Sequence, residues 1–307
     1  SLNDGSSKSW KGTLMSSQSY YVPEQSKWPI LASISMGLLA YGAAMTLNAM
    51  AIDEGGFGPW VLGAGFLGIF YVIFGWFKDQ IAEEAEGLHN DQLEESYRQG
   101  MLWFIFSEVM FFAAFFGALF YVRTFTLPWL GGEGEKGIAN MLWEGFSASW
   151  PLFETPDPKQ FQGPEQIINP WTLPLLNTAL LITSSVTVTF AHHALKENKR
   201  RALEGWLAAT ILLAVIFLYF QGYEYYEAYT HLGLTLQSGI YGATFFMLTG
   251  FHGFHVMVGT IMLCVMLLRC FDGAFSPDKH FAFEATCWYW HFVDVVWVGL
   301  FIFVYIL

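Results

Sequence analysis

The sequence predicts an all-α membrane protein with seven transmembrane helices. Hydrophobic residues make up 54% of the 307 residues. Charged residues make up 13%, against roughly 25% in soluble domains. Seven segments are apolar over the roughly 20 residues that a helix needs to cross the hydrocarbon core. Because that core holds no water to bond an open backbone, each of these segments is expected to be helical.

The predicted helices follow a polar segment at 1–28, in which no cleavable signal peptide is expected. They are expected at 29–50, 58–77, 100–122, 172–195, 202–221, 240–268 and 285–307. Residues 29–77 therefore hold helices one and two, and residues 97–307 hold helices three to seven.

The distribution of basic residues predicts the orientation of the chain, because Lys and Arg concentrate on the cytoplasmic or equivalent side. If the helices alternate in direction, 11 of the 14 basic residues fall on one side. These are Lys8, Lys11, Lys27, Lys78, Arg98, Lys196, Lys199, Arg200, Arg201, Arg269 and Lys279. The N-terminus is therefore predicted on the cytoplasmic side and the C-terminus on the periplasmic side. The net charge of -12 makes nucleic acid an unlikely partner.

The longest loop is predicted at 124–170, on the outer side. Its glycines and prolines indicate turns and irregular chain. Four tryptophans lie in or beside it, at Trp129, Trp143, Trp150 and Trp171. An indole ring prefers one wet end, so these residues indicate contact with the membrane interface or with a partner. Packing within the loop itself is the alternative.

Glu108 is the sharpest polar feature of the predicted helices. It lies ten residues beyond Arg98, which places it about 15 Å into the membrane at 1.5 Å per residue. A carboxylate at this depth costs roughly 2.5–3.5 kcal/mol on insertion scales, so a functional or tightly paired group is expected. Glu108 is either a proton- or lipid-linked carboxyl or a packing acid hydrogen-bonded to a neighbouring helix.

Histidines are the obvious candidates for haem or copper ligation. His252 and His255 lie one turn apart on helix six, and His291 lies on helix seven between Glu284 and Asp294. Ligation requires several donors at matching depth on facing helices, and no such pattern is found. These five residues are therefore interpreted as structural polar groups, and no metal or catalytic site is predicted. His291 and Asp294 are expected to contact each other or to bond across the bundle.

Glu224 and Glu227 lie near the outer end of helix five. Their neighbours are Tyr223, Tyr225, Tyr226 and Tyr229. Tyrosine is typical of membrane interfaces, so both acids are interpreted as interfacial.

Several strings together resemble subunit III of the haem-copper cytochrome c oxidases, over most of residues 28–307. They are Phe106-Ser107-Glu108-Val109, Asn169-Pro170, Pro174-Leu175-Leu176-Asn177-Thr178, Ala191-His192-His193, Glu224-Tyr225-Tyr226-Glu227-Ala228, Gly250-Phe251-His252-Gly253-Phe254-His255-Val256, Phe283-Glu284-Ala285 and Trp288-Tyr289-Trp290-His291-Phe292-Val293-Asp294-Val295-Val296-Trp297. These long strings occur in the order that the family has.

The resemblance implies an accessory core subunit of an aa3-type oxidase, a complex that passes electrons from cytochrome c to oxygen and pumps protons. It implies a V-shaped bundle, helices one and two against helices three to seven, with phospholipid in the cleft. It also implies packing on subunit I, beside subunit II, and support for sustained proton uptake. Haem and copper are expected in the partner subunits and no cofactor in this chain.

The resemblance also implies roles for particular residues. Glu108 corresponds to the family's buried carboxylate facing the cleft. Positions that meet lipid headgroups or lie beside them are matched by Trp76, Lys78, Glu83, His89, Arg98 and Arg269. Lys78 stands where the family usually has Arg, so the planar fork that grips phosphate is lost there.

The loop 124–170 is longer than in the compact mitochondrial form. This length implies a bacterial inner-membrane protein and further contact with subunit II or an electron donor. Three alternatives remain open. A quinol oxidase subunit III is disfavoured because those chains commonly lack the first two helices. A freestanding proton channel or transporter would use Glu108 as its gate. A haem-binding membrane cytochrome would show a haem spectrum in the isolated chain.

Overall fold

A computed structural model of the chain describes residues 25–52, 55–88 and 91–307. This part of the chain is helical and contains no β-strand. The chain forms two compact units, Ser1–Tyr97 and Arg98–Leu307. The all-α class is therefore confirmed.

Seven long helices lie in the described residues, each long and apolar enough to span a membrane once the terminal turns of the third and seventh are included. They are α1 (Trp28–Ala51), α2 (Gly58–Ala85), α3 (Asp91–Tyr121), α4 (Leu173–Lys196), α5 (Arg200–His231), α6 (Gly239–Phe271) and α7 (Phe281–Leu300). The seven predicted helices are confirmed. α2 runs eight residues beyond its predicted end because the Lys, Gln, Glu and Ala residues of 78–85 favour a helix, although half of this segment is charged.

In the first unit, α1 and α2 pack as a hairpin in which both helices begin with a proline in their first turn. Proline fits there because it lacks the amide hydrogen that a first turn leaves unbonded. The two backbones approach closely at Gly65, where an added Cβ would lie 2.6 Å from the Leu39 nitrogen. The indole of Trp28 donates a hydrogen bond of 2.7 Å to Asp79. Small residues therefore set the spacing of the hairpin.

The core of the second unit lies among α4, α5, α6 and α7. Its largest fully buried side chains include Phe217, Trp290 and Trp297. The Trp290 indole donates to Ser184 at 3.0 Å and the Trp297 indole donates to Thr178 at 2.9 Å. The hydroxyl groups of α4 therefore satisfy the polar edges of tryptophans that are otherwise packed among apolar groups.

The outer ends of α3 and α7 continue as π-helical turns. α3 passes through Val122–Thr126 into a further helical turn at Leu127–Leu130, and α7 passes into Phe301–Ile306. The prediction that the outer loop begins at residue 124 is therefore wrong, and irregular chain begins at Gly131. Aromatic rings at Tyr121, Phe125 and Trp129, spaced four residues apart, contact one another and favour continued helix.

The outer loop itself contains a short 3-10 helix at Gly137–Leu142. The Asn140 amide donates to the carbonyl of Leu130 at 2.8 Å, which holds this helix against the end of α3. Ile138, Met141 and Leu142 on it are each at least 75% exposed. The loop therefore presents an apolar surface beside the end of a membrane span.

Candidate functional site

Glu108 on α3 and His255 on α6 form a direct contact inside the second unit. Glu108 Oε2 lies 2.7 Å from His255 Nε2. His255 is the 17th of the 33 residues of α6, so the contact lies at mid-helix. Glu108 is therefore hydrogen-bonded to a neighbouring helix, as in one of the two alternatives given above. Its partner there is an ionisable side chain.

The second ring nitrogen of His255 determines which protons the contact can hold. His255 Nδ1 lies 2.6 Å from the carbonyl oxygen of Phe251. A carbonyl oxygen only accepts hydrogen bonds, so Nδ1 must carry a hydrogen and donate it. The contact between Nε2 and Glu108 then holds one proton, either on the carboxyl beside a neutral imidazole or on the imidazole beside a carboxylate.

Aromatic rings surround this pair. The rings of Phe112 and Tyr289 lie 5.0 Å and 6.4 Å from the His255 ring, centroid to centroid. The side chains of His255 and Glu108 are 10% and 22% exposed. The pair therefore lies in apolar surroundings, with the carboxyl nearer to the surface of the chain.

The inner end of the same unit carries an ion pair. Arg98 Nη1 lies 2.7 Å from Glu284 Oε2, and the guanidinium lies 5.1 Å from the centre of the Phe281 ring. The sequence predicts a lipid-linked role for Arg98 and a structural role for Glu284. The structure joins the two residues across α3 and α7.

His291 and Asp294 both face α4. Ser185 Oγ lies 2.6 Å from His291 Nδ1, and the Asp294 carboxyl faces the same hydroxyl. His291 therefore bonds across the bundle, one of the two arrangements expected for this pair, whereas both carboxyl oxygens of Asp294 lack a hydrogen-bond partner among the described residues. His252 donates from Nε2 to the carbonyl of Val293 at 3.1 Å, as a buried structural histidine.

The sequence of this chain is similar to that of a known protein family. A family model described as cytochrome c oxidase subunit III matches residues 18–133 and 145–307. The chain belongs to this family. A protein named cytochrome c oxidase subunit 3 from Prototheca wickerhamii is 42% identical over 93% of this chain and 96% of its own length. Proteins of the same name from Triticum aestivum and Oryctolagus cuniculus are 38% and 37% identical, over 94% and 93% of this chain and 96% of their own lengths.

The subunit III family model leaves out residues 134–144, which lie in the outer loop. This gap includes the 3-10 helix Gly137–Leu142 and its exposed apolar side chains. The loop segment that the family model does not match is therefore the segment that carries the exposed apolar side chains.

Membership in the subunit III family makes this chain part of an oxidase complex, and the residues expected to meet lipid are spread over both units. In the first unit Trp76 is 52% exposed, Lys78 is exposed, and Glu83 accepts a hydrogen bond from Gln80 at 3.2 Å. In the second unit the Arg269 guanidinium lies 4.7 Å from the centre of the Phe275 ring. His89 lies outside the described residues. The roles of these residues stay predictions.

Glu224 is not interfacial as predicted. It is 1% exposed and accepts a hydrogen bond from the Tyr305 hydroxyl. Its tyrosine neighbours at 223, 226 and 229 are each about half exposed or more, so they occupy the opposite face of α5. A buried stripe at Ala214, Phe217, Gln221, Glu224 and Ala228 follows the three- and four-residue spacing of a helix face. That spacing could have placed Glu224 in the core.

The described residues contain no group of three or more His, Cys, Asp and Glu side chains that could hold a metal ion. The site offers a carboxyl–imidazole pair at mid-helix, an ion pair between α3 and α7 and buried polar contacts among α4 to α7. Such groups can hold or pass a proton and can bond to polar ligands.

Proposed function

We propose that this chain supports oxygen reduction and proton pumping by cytochrome c oxidase without carrying redox chemistry itself. It packs on subunits I and II, which hold the haem and copper and receive electrons from cytochrome c. It holds phospholipid against its surface and helps to sustain proton uptake. The contact between Glu108 and His255 is the observation that supports this proposal most directly.

The chemistry of that contact suits proton holding. Glu108 and His255 share one proton, and moving it by a fraction of an ångström converts a neutral pair into an ion pair. Apolar rings around the pair limit solvation of either form. The geometry and the apolar surroundings therefore suit the pair to sharing the one proton between Glu108 and His255.

Lipid binding draws support from the exposed helices. In α1, α2 and α3, 11% of the residues in the most apolar 18-residue stretch are buried. These surfaces are suited to acyl chains or to apolar helices of subunit I. We propose that Lys78, Arg98 and Arg269 meet phosphate headgroups and that Trp76, Glu83 and His89 also take part in lipid binding. Glu108, at 22% exposure, is within reach of such a surface.

The chain crosses the membrane several times, and we place its N-terminus on the negatively charged side. This follows from the basic residues counted above. The relatives named above are eukaryotic, so a bacterial inner membrane stays a proposal that rests on the length of the outer loop. The V-shaped arrangement of helices one and two against helices three to seven also stays a proposal.

Three variants of the intact oxidase test the role of Glu108. Glu108→Gln keeps a hydrogen-bond donor for His255 but cannot ionise, whereas Glu108→Leu removes the contact. Glu197→Gln is the matched control, because it changes an exposed carboxyl outside the pair. Assembly, initial turnover, activity over repeated turnovers and retained phospholipid are measured on each purified complex.

We expect Glu108→Gln to assemble and to turn over initially like the unmodified complex, but to lose activity or lipid over repeated turnovers. Glu108→Leu should show the same loss together with weaker retention of this chain, because His255 then lacks its partner. If Glu108→Gln behaves as the unmodified complex throughout and only Glu108→Leu is impaired, Glu108 is a packing acid and its proton role is wrong.

A further inference from the structure

We propose that Asn177 on α4 and Gln221 on α5 form an internal water site in the outer half of the second unit. Both side chains are amides, which offer two donors and one acceptor oxygen each. Asn177 is 0% exposed and Gln221 is 5% exposed. The nitrogen and oxygen of each amide lack a hydrogen-bond partner among the described residues. This site lies apart from the Glu108–His255 pair and does not depend on the proposed function.

The two amides lie at the same level of the bundle. α4 and α5 are antiparallel, and the hydroxyls of Thr187 and Thr210 bond at 2.8 Å, which fixes their register. Moving ten residues outward along each helix leads from Thr187 to Asn177 and from Thr210 to Phe220. Gln221 follows directly, so the two amides are on facing helices within about one residue of the same height, near 1.5 Å along the axis.

A third helix closes the site. The Trp297 indole on α7 donates to Thr178, the neighbour of Asn177. The Trp297 ring also lies 4.8 Å from the ring of Phe217, one turn before Gln221. Helices α4, α5 and α7 therefore converge at this level. Solvent outside the chain does not reach the amides, because their exposure is so low.

Further polar groups lie next to Gln221. Its amide faces the hydroxyls of Tyr225 and Tyr305 without a hydrogen bond of normal geometry. Glu224, three residues further along α5, has one carboxyl oxygen bonded by Tyr305 and the other without a partner among the described residues. Buried polar groups that face each other without completing a hydrogen bond are commonly bridged by water.

Water is the ligand that this chemistry favours. Leaving two buried amides and a carboxyl oxygen without hydrogen bonds is costly in an apolar bundle. A buried water molecule makes about three hydrogen bonds to such groups and needs both donors and acceptors. The amides and Glu224 supply both kinds. The site therefore takes one or a few water molecules that link Asn177, Gln221 and Glu224.

A structure of the purified oxidase complex, determined at a resolution that shows ordered water, tests the proposal without any substitution. We expect solvent peaks within hydrogen-bond distance of both the Asn177 and the Gln221 amides. A direct hydrogen bond between the two amides, with no peak beside them, would overturn the proposal. A peak with the short, oxygen-only coordination of a metal ion would also overturn it.

A double-substitution cycle in the same complex gives a second test. Asn177→Leu or Gln221→Leu alone should lower the midpoint temperature for loss of this chain by about 2–4 °C, since each displaces water and strands the other amide. In the double variant the midpoint temperature should fall by less than the sum of the two single decreases, because neither amide is then left without a partner. Gln237→Leu, at an exposed position, is the control and should leave the midpoint unchanged. Additive losses from the two substitutions would contradict a shared site.

Discussion

The α1–α2 hairpin and the bundle of α4 to α7 are both built from apolar helices, but they treat polar groups differently. In the hairpin, Ser35 and Thr46 donate to carbonyls of their own helix, and the bond between helices from Trp28 to Asp79 lies at the start of α1. In the bundle, hydroxyls and indoles bond between helices, as Trp297 does to Thr178. The helices of the bundle are also more deeply buried than those of the hairpin. Within the most apolar 18-residue stretch, 11% of residues are buried in α1 and 61% in α7.

The difference shows two ways of holding membrane helices together. The hairpin relies on small residues that allow close backbone approach. The bundle relies on large side chains and on hydrogen bonds that cross between helices. Replacing a large side chain should therefore destabilise the bundle most. Replacing a small side chain should destabilise the hairpin most.

Trp297→Ala is the substitution with the largest expected effect. Trp297 is 0% exposed, and its loss removes both a large buried ring and the bond to Thr178. Large-to-small changes of this kind cost about 3–5 kcal/mol. Trp60→Ala in the hairpin is the control, because Trp60 is 78% exposed and its loss should cost about 0.5 kcal/mol or less. Thermal release of this chain from the purified complex measures both, and equal effects would remove the contrast.

Gly65→Leu tests the hairpin, with an intermediate effect. A Cβ at this position would lie 2.6 Å from the backbone nitrogen of Leu39, so the helices must separate. Overpacking costs about 1–3 kcal/mol. Gly63→Leu is the matched control on the same helix, since a Cβ there meets no described atom within 4 Å. Proteolysis of the hairpin in the purified complex compares the two, and similar cleavage rates would show that small residues do not set its spacing.

Glu284→Gln should have the smallest effect of the three. The Arg98–Glu284 pair is 31% and 20% exposed, and such partly exposed pairs contribute up to about 1 kcal/mol. The surface pair of Lys199 and Glu197, 66% and 59% exposed, is the comparison, and Glu197→Gln should produce no measurable change. Thermal release of the chain at low and high salt measures both. A loss for Glu284→Gln as large as that for Trp297→Ala would mean that charge pairing, and not packing, dominates the bundle.

Hydropathy was sufficient to predict seven helices, because each span is apolar over its whole length. It could not predict where helices continue through polar or irregular sequence. Residues 78–85 are helical although four of the eight are charged, and Leu127–Leu130 extends α3 despite Pro128. Aromatic spacing and helix propensity carry that information, and hydropathy does not.

The candidate site was predicted in part. Glu108 and His255 were each singled out, but their contact joins residues 147 positions apart, and nothing local in a sequence gives the facing of two distant helices. Glu224 was placed at the interface because its tyrosine neighbours were considered as a group. Those tyrosines and Glu224 lie on different faces of one helix. Grouping the residues by three- and four-residue spacing would have separated Glu224 from the tyrosines.

The π-helical turn at Val122–Thr126 holds one residue more than an α-helical turn would. Evolutionary loss of that residue would leave the span intact but rotate everything beyond it by about 100° around the helix axis. Arg123, which donates to the carbonyl of Leu307 at 2.7 Å, lies within this turn. The direction in which the outer loop leaves α3 thus depends on the extra residue of this turn, so a chain without it would present the same loop sequence to a different neighbour.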